Sequence, residues 1–391
     1  ALQQDVYLAP ETVFAGGFDP RQLENPKTIF LTGVTGFVGI HLLQELLDTT
    51  SADIYCLVRA QDEFHAMEKI DSCYKQYHID RKEEQKPRII PVIGDLSLPL
   101  LGFSEDQFKK LAGILDLIYH SGSSVNFIEP YSYMKAPNVE GLREIIKLAG
   151  AERTKCLALL STISVYSWGH VFTGKTVMME SDDIAQNLMS VSKDIGYVRS
   201  KWVMEAVADL AAKEGLPLIT YRLGYAMCHS ETGASAPYQW WSGLVKNCVE
   251  FKSYPLLTEL REGLITVDYM TKSMAHITKS KEAIGKKFNL IARPETNLTL
   301  ESFFGLLKKY YPLTLEGLPY KEWRKQWEDD SRNRLYPLTS LFKDNMHEGL
   351  STVELYQNTY VWDCSNVIQF LEGSGIEEPA FDKQMLDAYL K

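Results

Sequence analysis

The sequence predicts an α/β fold: a doubly wound parallel sheet with helices on both faces, followed by a smaller, mainly helical C-terminal lobe. Three observations predict it. From Thr28 onward, short runs rich in β-branched and aromatic residues alternate with stretches of helical apolar spacing, the pattern of strand–helix–strand units in a parallel sheet. Directly after the first run stands a turn with three glycines, Gly33, Gly36 and Gly39. Beyond Gly224 the alternation gives way to crowded aromatic residues.

Taken in order, residues 1–25 are loosely patterned, with Pro10, Gly16, Gly17 and Pro20, and read as a linker or N-terminal extension. An opening at Ala1 without a Met suits a domain cut from a longer polypeptide. The runs 28–32, 54–58, 88–93, 115–120, 156–161 and 218–223 read as strands, and 286–291 as a last strand returning to the sheet. The nucleotide-binding part then spans 26–225 with that return strand. Segments 226–285 and 292–391 form the substrate-binding lobe.

Composition narrows the class. The 391 residues are 45% hydrophobic, 24% charged and 11% aromatic, which describes an ordinary globular protein with material for a large core. A net charge of -10 argues against nucleic acid as partner, since phosphate binding needs clustered Lys and Arg. Six cysteines without a CxxC pair or zinc spacing read as free thiols in a reducing compartment. No apolar run of about 18 residues or signal-like N-terminus is present, so the expected location is the cytoplasm, without a membrane partner. The eight histidines form no cluster, so no metal is expected. His120, at a strand end, reads as a satisfied core or loop residue. The absence of GxSxG disfavours hydrolysis by a serine thioesterase.

The turn Gly33-Val34-Thr35-Gly36-Phe37-Val38-Gly39 follows a strand and precedes the apolar helix face Val38, Leu42, Leu43 and Leu46. One glycine permits the tight turn, one admits backbone to a pyrophosphate, and one lets helix pack on strand. Glycines alone also make ordinary turns; the flanking strand and helix favour a Rossmann-type dinucleotide site, with phosphates at the helix N-terminus. The second strand ends in Leu57-Val58-Arg59. An enzyme using NAD places a carboxylate there, and one using NADP an arginine for the 2′-phosphate, so Arg59 predicts NADPH over a plain surface arginine. Asp95, in Gly94-Asp95-Leu96, is a candidate for the adenine; a strand-end Asp is as often a turn cap.

Two segments carry chemistry: Thr162, after the fifth strand, and Tyr197-Val198-Arg199-Ser200-Lys201. On a helix Tyr197 and Lys201 stand at i and i+4 on one face, where an ammonium lowers the phenol's pKa and holds the nicotinamide ribose. Such a tyrosine exchanges a proton with the substrate, and Thr162 hydrogen-bonds the carbonyl being reduced. The alternative is an amphipathic surface pair, because Ile195, Val198, Trp202 and Val203 also want packing. A second YxxxK copy, Tyr131 to Lys135, follows Pro130 and lacks an upstream hydroxyl-bearing strand end, so it is set aside.

The runs Phe30 to Gly39, Cys56-Leu57-Val58-Arg59-Ala60, His120-Ser121-Gly122-Ser123-Ser124-Val125-Asn126 and Tyr131 through Asn138-Val139-Glu140-Gly141 resemble the terminal thioester reductase domains of nonribosomal peptide and polyketide synthases. Carboxylic acid reductases share these motifs. The resemblance covers roughly residues 27–290; the C-terminal portion around 358–366 is closer to fungal members than to bacterial ones. It implies extended short-chain dehydrogenase/reductase topology, NADPH, and reduction of a carrier-bound thioester to an aldehyde, sometimes onward to an alcohol. The partner it implies is an acyl or peptidyl carrier protein with phosphopantetheine-bound substrate, in the same polypeptide. By the same resemblance Asn138 supports the proton relay, and Thr35, Phe37, Val38, Leu96, Ser121, Gly122, Ser123, Asn126, Leu223 and Gly224 join the glycines, Arg59, Asp95, Tyr197 and Lys201 around the cofactor. The chain departs from the family at Ser123 and Ser124, commonly small and apolar, and at Leu223, often proline.

In the second lobe, Tyr238, Trp240, Trp241, Phe251, Tyr254, Phe303, Phe304, Tyr310, Tyr311, Trp323 and Trp327 either line an acyl pocket or pack a core, the commoner role for any one of them. Lys246, Lys252, Arg261, Lys308 and Lys309 either receive an acidic carrier or are solvated surface. Rival readings keep the fold but change the substrate to a free carbonyl, an acyl-CoA or a sugar nucleotide, or make the chain a noncatalytic NADP sensor. Arg59 speaks against the NAD-retaining sugar enzymes, and the presence of Tyr197 and Lys201 against a sensor.

Overall fold

The computed structural model describes residues 2–343 and 345–391. Seven strands, β1 (Thr28–Thr32), β2 (Asp53–Val58), β3 (Ile89–Ile93), β4 (Leu117–His120), β5 (Cys156–Thr162), β6 (Leu218–Leu223) and β7 (Lys287–Leu290), form one sheet in the order β3-β2-β1-β4-β5-β6-β7. Every neighbouring pair is parallel. The fourth strand starts later than its apolar run, because Leu115 caps the preceding helix and Asp116 turns aside to accept the Lys27 backbone N–H at 2.7 Å. The fifth is longer by one residue and ends on Thr162.

Both faces of the sheet are covered, so β4 and β5 are buried along their whole length, as parallel strands are. Helices α1 (Phe37–Thr49) and α2 (Glu63–Gln76) cover one face, and α3 (Glu105–Ile114), α4 (Gly141–Gly150) and α5 (Gly196–Lys213) cover the other. Alternation along β1 sends Ile29 and Leu31 to the first face and Phe30 to the second. Each such fully buried side chain contributes about 1.5–3 kcal/mol of transfer free energy. A capping box of Ser104 and Gln107 starts α3, and Asp62 caps α2 by accepting the His65 N–H at 2.8 Å.

The second lobe contains α6 (Trp240–Phe251), α7 (Val267–Ile277) and α8 (Leu300–Tyr310). Of these, α7 packs back onto the first face of the sheet. A short parallel pair, Ser253–Leu256 with Glu316–Pro319, holds the remainder together. Most of the aromatic residues there are core: Trp241 meets Phe303 at 5.1 Å, Tyr254 stacks on Phe304 at 4.9 Å, and Trp323 meets Trp327 at 5.3 Å. Lys308 lies over the Tyr254 ring, and Arg261 pairs with Glu259 at 2.5 Å.

The N-terminal extension, expected as a loose linker, is tied to the second face. Asp5 accepts from Lys135 Nζ at 2.6 Å and from the Tyr131 hydroxyl at 2.7 Å. The Arg143 guanidinium lies 3.8 Å from the centre of the Tyr7 ring, and Gly16 N–H donates to Thr154 Oγ1 at 2.9 Å. The second YxxxK copy therefore serves packing: both of its polar ends are held by Asp5.

Candidate active site

The strand order reverses between β1 and β4, and a crevice opens at the carboxyl ends of the strands on either side of such a point. A cleft of about 1010 Å³ lies there, lined from the ends of β1, β2, β4, β5 and β6 and closed over by the second lobe.

Its floor begins with the glycine turn. Gly33 has φ +77°, and a Cβ on it would come within 2.7 Å of the Gly122 nitrogen. Only glycine fits that approach. A Cβ on Gly39 would sit 1.9 Å from the Gly33 carbonyl oxygen, so the first turn of α1 is seated directly on the loop. Gly39 packs beneath the turn, while Gly33, Thr35, Gly36, Phe37 and Val38 face the cleft. Gly36 is the N-cap of α1 and supplies no side-chain cap. The orphan N–H groups of a 13-residue helix thus open onto the cleft, the arrangement that binds phosphate. Thr32 Oγ1 ties this turn to the next one: it accepts the Gly122 N–H at 2.8 Å and pairs with His120 Nδ1 at 2.8 Å. Burial, aided by the Lys201 charge, pushes His120 down to about 3, so its imidazole is neutral.

At the end of β2, Arg59 is exposed and lines the cleft. Among the described residues its guanidinium has no hydrogen-bond or ionic partner; only its carbonyl is used, accepting from Lys69 Nζ at 2.6 Å. Asp95 and Leu96 line the same side. Asp95 also caps its own turn, accepting the Ser97 N–H at 2.8 Å. Ser121, Gly122, Ser123, Leu223 and Gly224 line the cleft as well. Asn126 does not: its side-chain oxygen accepts the N–H groups of Ile128 and Glu129, at 2.8 and 3.1 Å, and closes a local turn. The unpaired Arg59 and the uncapped helix terminus are what a dinucleotide with a 2′-phosphate needs, so the residues present fit NADPH.

Thr162, Tyr197 and Lys201 all reach this cleft. Thr162 ends β5, and its hydroxyl accepts the Ser164 N–H at 3.2 Å. Tyr197 and Lys201 lie in the first two turns of α5. Lys201 Nζ donates to the Leu160 carbonyl at 3.2 Å and stands 6.0 Å from the centre of the Tyr197 ring. Burial pushes the Tyr197 hydroxyl up to about 12, against a hydrogen bond from Thr162 that lowers it. The lowering expected from the ammonium is absent, and burial sets the direction of the shift. Burial likewise pushes Lys201 down to about 8, opposed by the Glu205 carboxylate. Phe127 packs edge-on to Tyr197 at 5.8 Å.

Asn138 lies beside the cleft, not in it, within a single wide turn of π-helix, Lys135–Glu140. Its side chain is saturated: Oδ1 accepts the Ser124 N–H at 2.6 Å, and Nδ2 donates to the Ser124 carbonyl at 3.1 Å and to Ser200 Oγ at 2.9 Å. It therefore clamps the loop after β4 to α5.

Several residues of the site escaped sequence reasoning. Glu205, one turn beyond Lys201, is fully buried and bound by Arg222 at 2.6 Å, Ser161 Oγ at 2.6 Å and Lys287 at 3.0 Å. Burial would raise its carboxyl, but Arg222 and Lys287 outweigh that and hold it to about 2. Its i+4 spacing from Lys201 was the one available signal. Glu205 supports Lys201 from behind, whereas Glu262, Tyr225 and Tyr356 line the cleft itself; these three carry no motif and meet only through the fold. Of the aromatic residues singled out in the second lobe, Tyr238 and Trp240 reach the cleft.

Comparison with known proteins agrees with this geometry. Residues 31–274 match the NAD-binding family described as male sterility protein. The aldehyde reductase lnaA of Aspergillus flavus is 32% identical over 373 residues, covering 93% of this chain and 36% of that protein. A linear gramicidin synthase of Brevibacillus parabrevis is 32% identical over 394 residues, 98% of this chain but 7% of the synthase. The chain thus spans about a third or less of the length of these curated relatives. Among solved structures, the terminal R domain from the myxalamid PKS-NRPS pathway is 32% identical and superposes with a TM-score of 0.89, covering 100% of this chain and 95% of that one. Yeast methylglyoxal/isovaleraldehyde reductase Gre2, solved with NADPH, is 15% identical, with a TM-score of 0.62 over 92% and 96% of the two chains; it shares the fold. The chain belongs to the NAD-binding male-sterility family of extended short-chain dehydrogenases/reductases, together with the terminal reductase domains of peptide and polyketide synthases.

Proposed function

We propose that this chain is an NADPH-dependent thioester reductase that releases a carrier-bound acyl, peptidyl or polyketide chain as an aldehyde. The observation that carries the reading is the convergence of Thr162, Tyr197 and Lys201 on the cleft that also holds the open N-terminus of α1 and the unpaired Arg59. The full-length likeness to a terminal R domain supports the substrate class. The organisation we propose is the one expected from the sequence: an N-terminal extension at 1–25, a nucleotide-binding part at 26–225 with the return strand, and a substrate lobe from 226–285 and 292–391.

When bound, NADPH supplies a hydride to the thioester carbonyl carbon. Arg59 holds the 2′-phosphate and the terminus of α1 the pyrophosphate. Thr162 hydrogen-bonds the carbonyl oxygen, and Tyr197 gives it a proton as charge develops there. Lys201 offsets the phenolate that remains and holds the ribose, while Asn138 keeps the loop at Ser124 and α5 in register. The resulting hemithioacetal loses its C–S bond: its hydroxyl proton returns to Tyr197, the thiol leaves protonated from solvent, and aldehyde remains. Overall, thioester, NADPH and one proton give aldehyde, thiol and NADP⁺.

The partner in this reading is a carrier protein with a phosphopantetheine arm, in the same polypeptide. Two relatives are named aldehyde reductases, which supports a second turn of the same site on the aldehyde, giving an alcohol. We place the protein in the cytoplasm: all six cysteines are free and buried, and no helix among the described residues is long and apolar enough to cross a membrane.

The test is NADPH oxidation with acyl-pantetheine thioesters, with the aldehyde trapped as a hydrazone. Tyr197→Phe lowers kcat/KM by about a hundred- to ten-thousandfold while NADPH still binds. Cofactor binding without oxidation by any thioester refutes the reading.

A further inference from the structure

The end of the cleft beyond Tyr197 contains a carboxylate that no residue answers. Glu262 lies on a stiffly held segment beside the end of β5. The neighbouring Gly263, at φ +65°, is packed so closely on Ile291 that it admits no Cβ, and a Cβ there would also reach Ile163 Cδ1 at 3.4 Å. Gly263 O accepts the Tyr225 N–H at 3.0 Å, and Leu260 O accepts the Leu300 N–H at 2.8 Å. Glu262 is half-buried and lines the cleft.

Among the described residues the Glu262 carboxylate makes no hydrogen bond or ion pair. The other acid lining this end, Asp194, is fully used: its oxygens accept from Ser167 at 2.5 Å, Tyr356 at 2.8 Å and the Ile195 N–H at 2.7 Å. Arg261 does not neutralise its neighbour, since it is held by Glu259 at 2.5 Å and by the Asn297 carbonyl at 3.3 Å. Arg59 is at the end of β2, on the far side of β1, and Lys201 is bonded to Leu160.

Glu262 shares this cleft with several aromatic residues. Tyr225 and Tyr356 line the same cleft as Glu262, and the Tyr225 N–H is bonded to the carbonyl of the adjacent Gly263; burial raises both hydroxyls, Asp194 adds to that of Tyr356, and the Glu262 charge adds a smaller contribution to each. Tyr225 packs edge-on to Trp240 at 6.5 Å, and all three line the cleft. Burial pushes the Glu262 carboxyl up to about 7, because nothing positive opposes desolvation. A carboxyl group in such a setting takes up a proton or is answered by a cation from the ligand, and ring faces attract the same charge.

We propose that this end of the cleft binds a positively charged group of the acyl chain, a protonated amine or quaternary ammonium, on Glu262 and the faces of Tyr225, Trp240 and Tyr356. The inference rests on the thioester reductase reading and names its substrate class: aminoacyl or ammonium-bearing acyl thioesters.

The experiment compares β-alanyl with butanoyl pantetheine, nearly isosteric thioesters that differ in the ammonium. Hydrogen bonds to charged groups correspond to roughly 10- to 150-fold, so kcat/KM of the full chain with NADPH favours β-alanyl by about tenfold or more. Glu262→Gln brings the ratio to about one, mainly through KM. Calorimetric binding of the matching amides, which cannot be reduced, to the NADP⁺-bound protein follows the same ratio. Equal binding of the two amides by the unmodified chain, or a Glu262→Gln variant that weakens both equally, overturns the proposal. A Glu262-dependent preference for the charged amide without reduction of either thioester upholds the cation site and overturns the reductase reading instead.

Discussion

Lys201 offers a test in which stability and activity move in opposite directions. Its side chain is 4% exposed, and burial lowers its pKa from 10.5 to about 8 even with Glu205 nearby. Below about pH 8 the ammonium is charged in both folded and unfolded chains, and the folded state bears the full cost of desolvating it. At 1.36 kcal/mol for each tenfold change in proton affinity, that cost is about 3 kcal/mol. Between about pH 8 and 10.5 the unfolded chain binds more protons than the folded one, so stability rises with pH and the cost is gone above the unfolded value. Lys201→Met keeps the stem and removes the charge. It also strips the Leu160 carbonyl of a donor, worth about 1 kcal/mol, which leaves a net gain of about 2 kcal/mol at neutral pH. Urea unfolding midpoints of the two proteins at about pH 7 and about pH 10, without cofactor, measure this. The expected result is a more stable variant at the lower pH, a gap that closes or reverses at the higher one, and NADPH oxidation reduced at least about a hundredfold. A variant less stable than the parent at neutral pH, or a gap that does not change with pH, refutes the reasoning.

Three further outcomes are expected. Gly39→Ala puts a methyl 1.9 Å from the Gly33 carbonyl oxygen; α1 must move off the turn, at a cost of about 1–3 kcal/mol, and calorimetry should find NADPH binding weakened at least tenfold, roughly, by the lost alignment of its N-terminus. Arg59→Ala removes an unpaired guanidinium without touching the core, so thermal stability stays level while NADPH affinity falls by roughly 10- to 150-fold and NADH affinity barely changes, which a direct titration of both cofactors reads. Asp5→Ala leaves Lys135 and Tyr131 without their acceptor and lowers stability by about 1–3 kcal/mol. Burial raises the Asp5 carboxyl, but its bonds to Lys135 and Tyr131 outweigh that and hold it below the usual value; the contribution is therefore present at neutral pH and lost as pH falls below about 4. Denaturation at both pH values checks it, with kcat/KM unaffected.

What could be read without a structure was local in the chain. The glycine turn, Arg59 at a strand end, and the i, i+4 pair of Tyr197 and Lys201 are contiguous motifs, and their chemistry depends on backbone conformation and helical spacing that a few neighbouring residues determine. Strand order was legible only as a class, because alternation fixes parallel pairing without saying which strand meets which.

Tertiary structure decided everything that depends on distance between remote segments. It set the sign of the Tyr197 shift, since burial outweighs the hydrogen bond with Thr162. It turned the extension at Asp5 into the partner of Tyr131 and Lys135, and Asn126 into a turn cap. It divided the aromatic residues of the second lobe between core and cleft, and it brought Glu262 and Tyr356, residues without any motif, to the far end of the cleft from Arg59. Sequence by itself determined a hydride-transfer site on a parallel α/β sheet; the packing of the second lobe against that sheet decided its depth, its charge and the shape of what it accepts, because desolvation and long-range contact exist only once the chain has closed on itself.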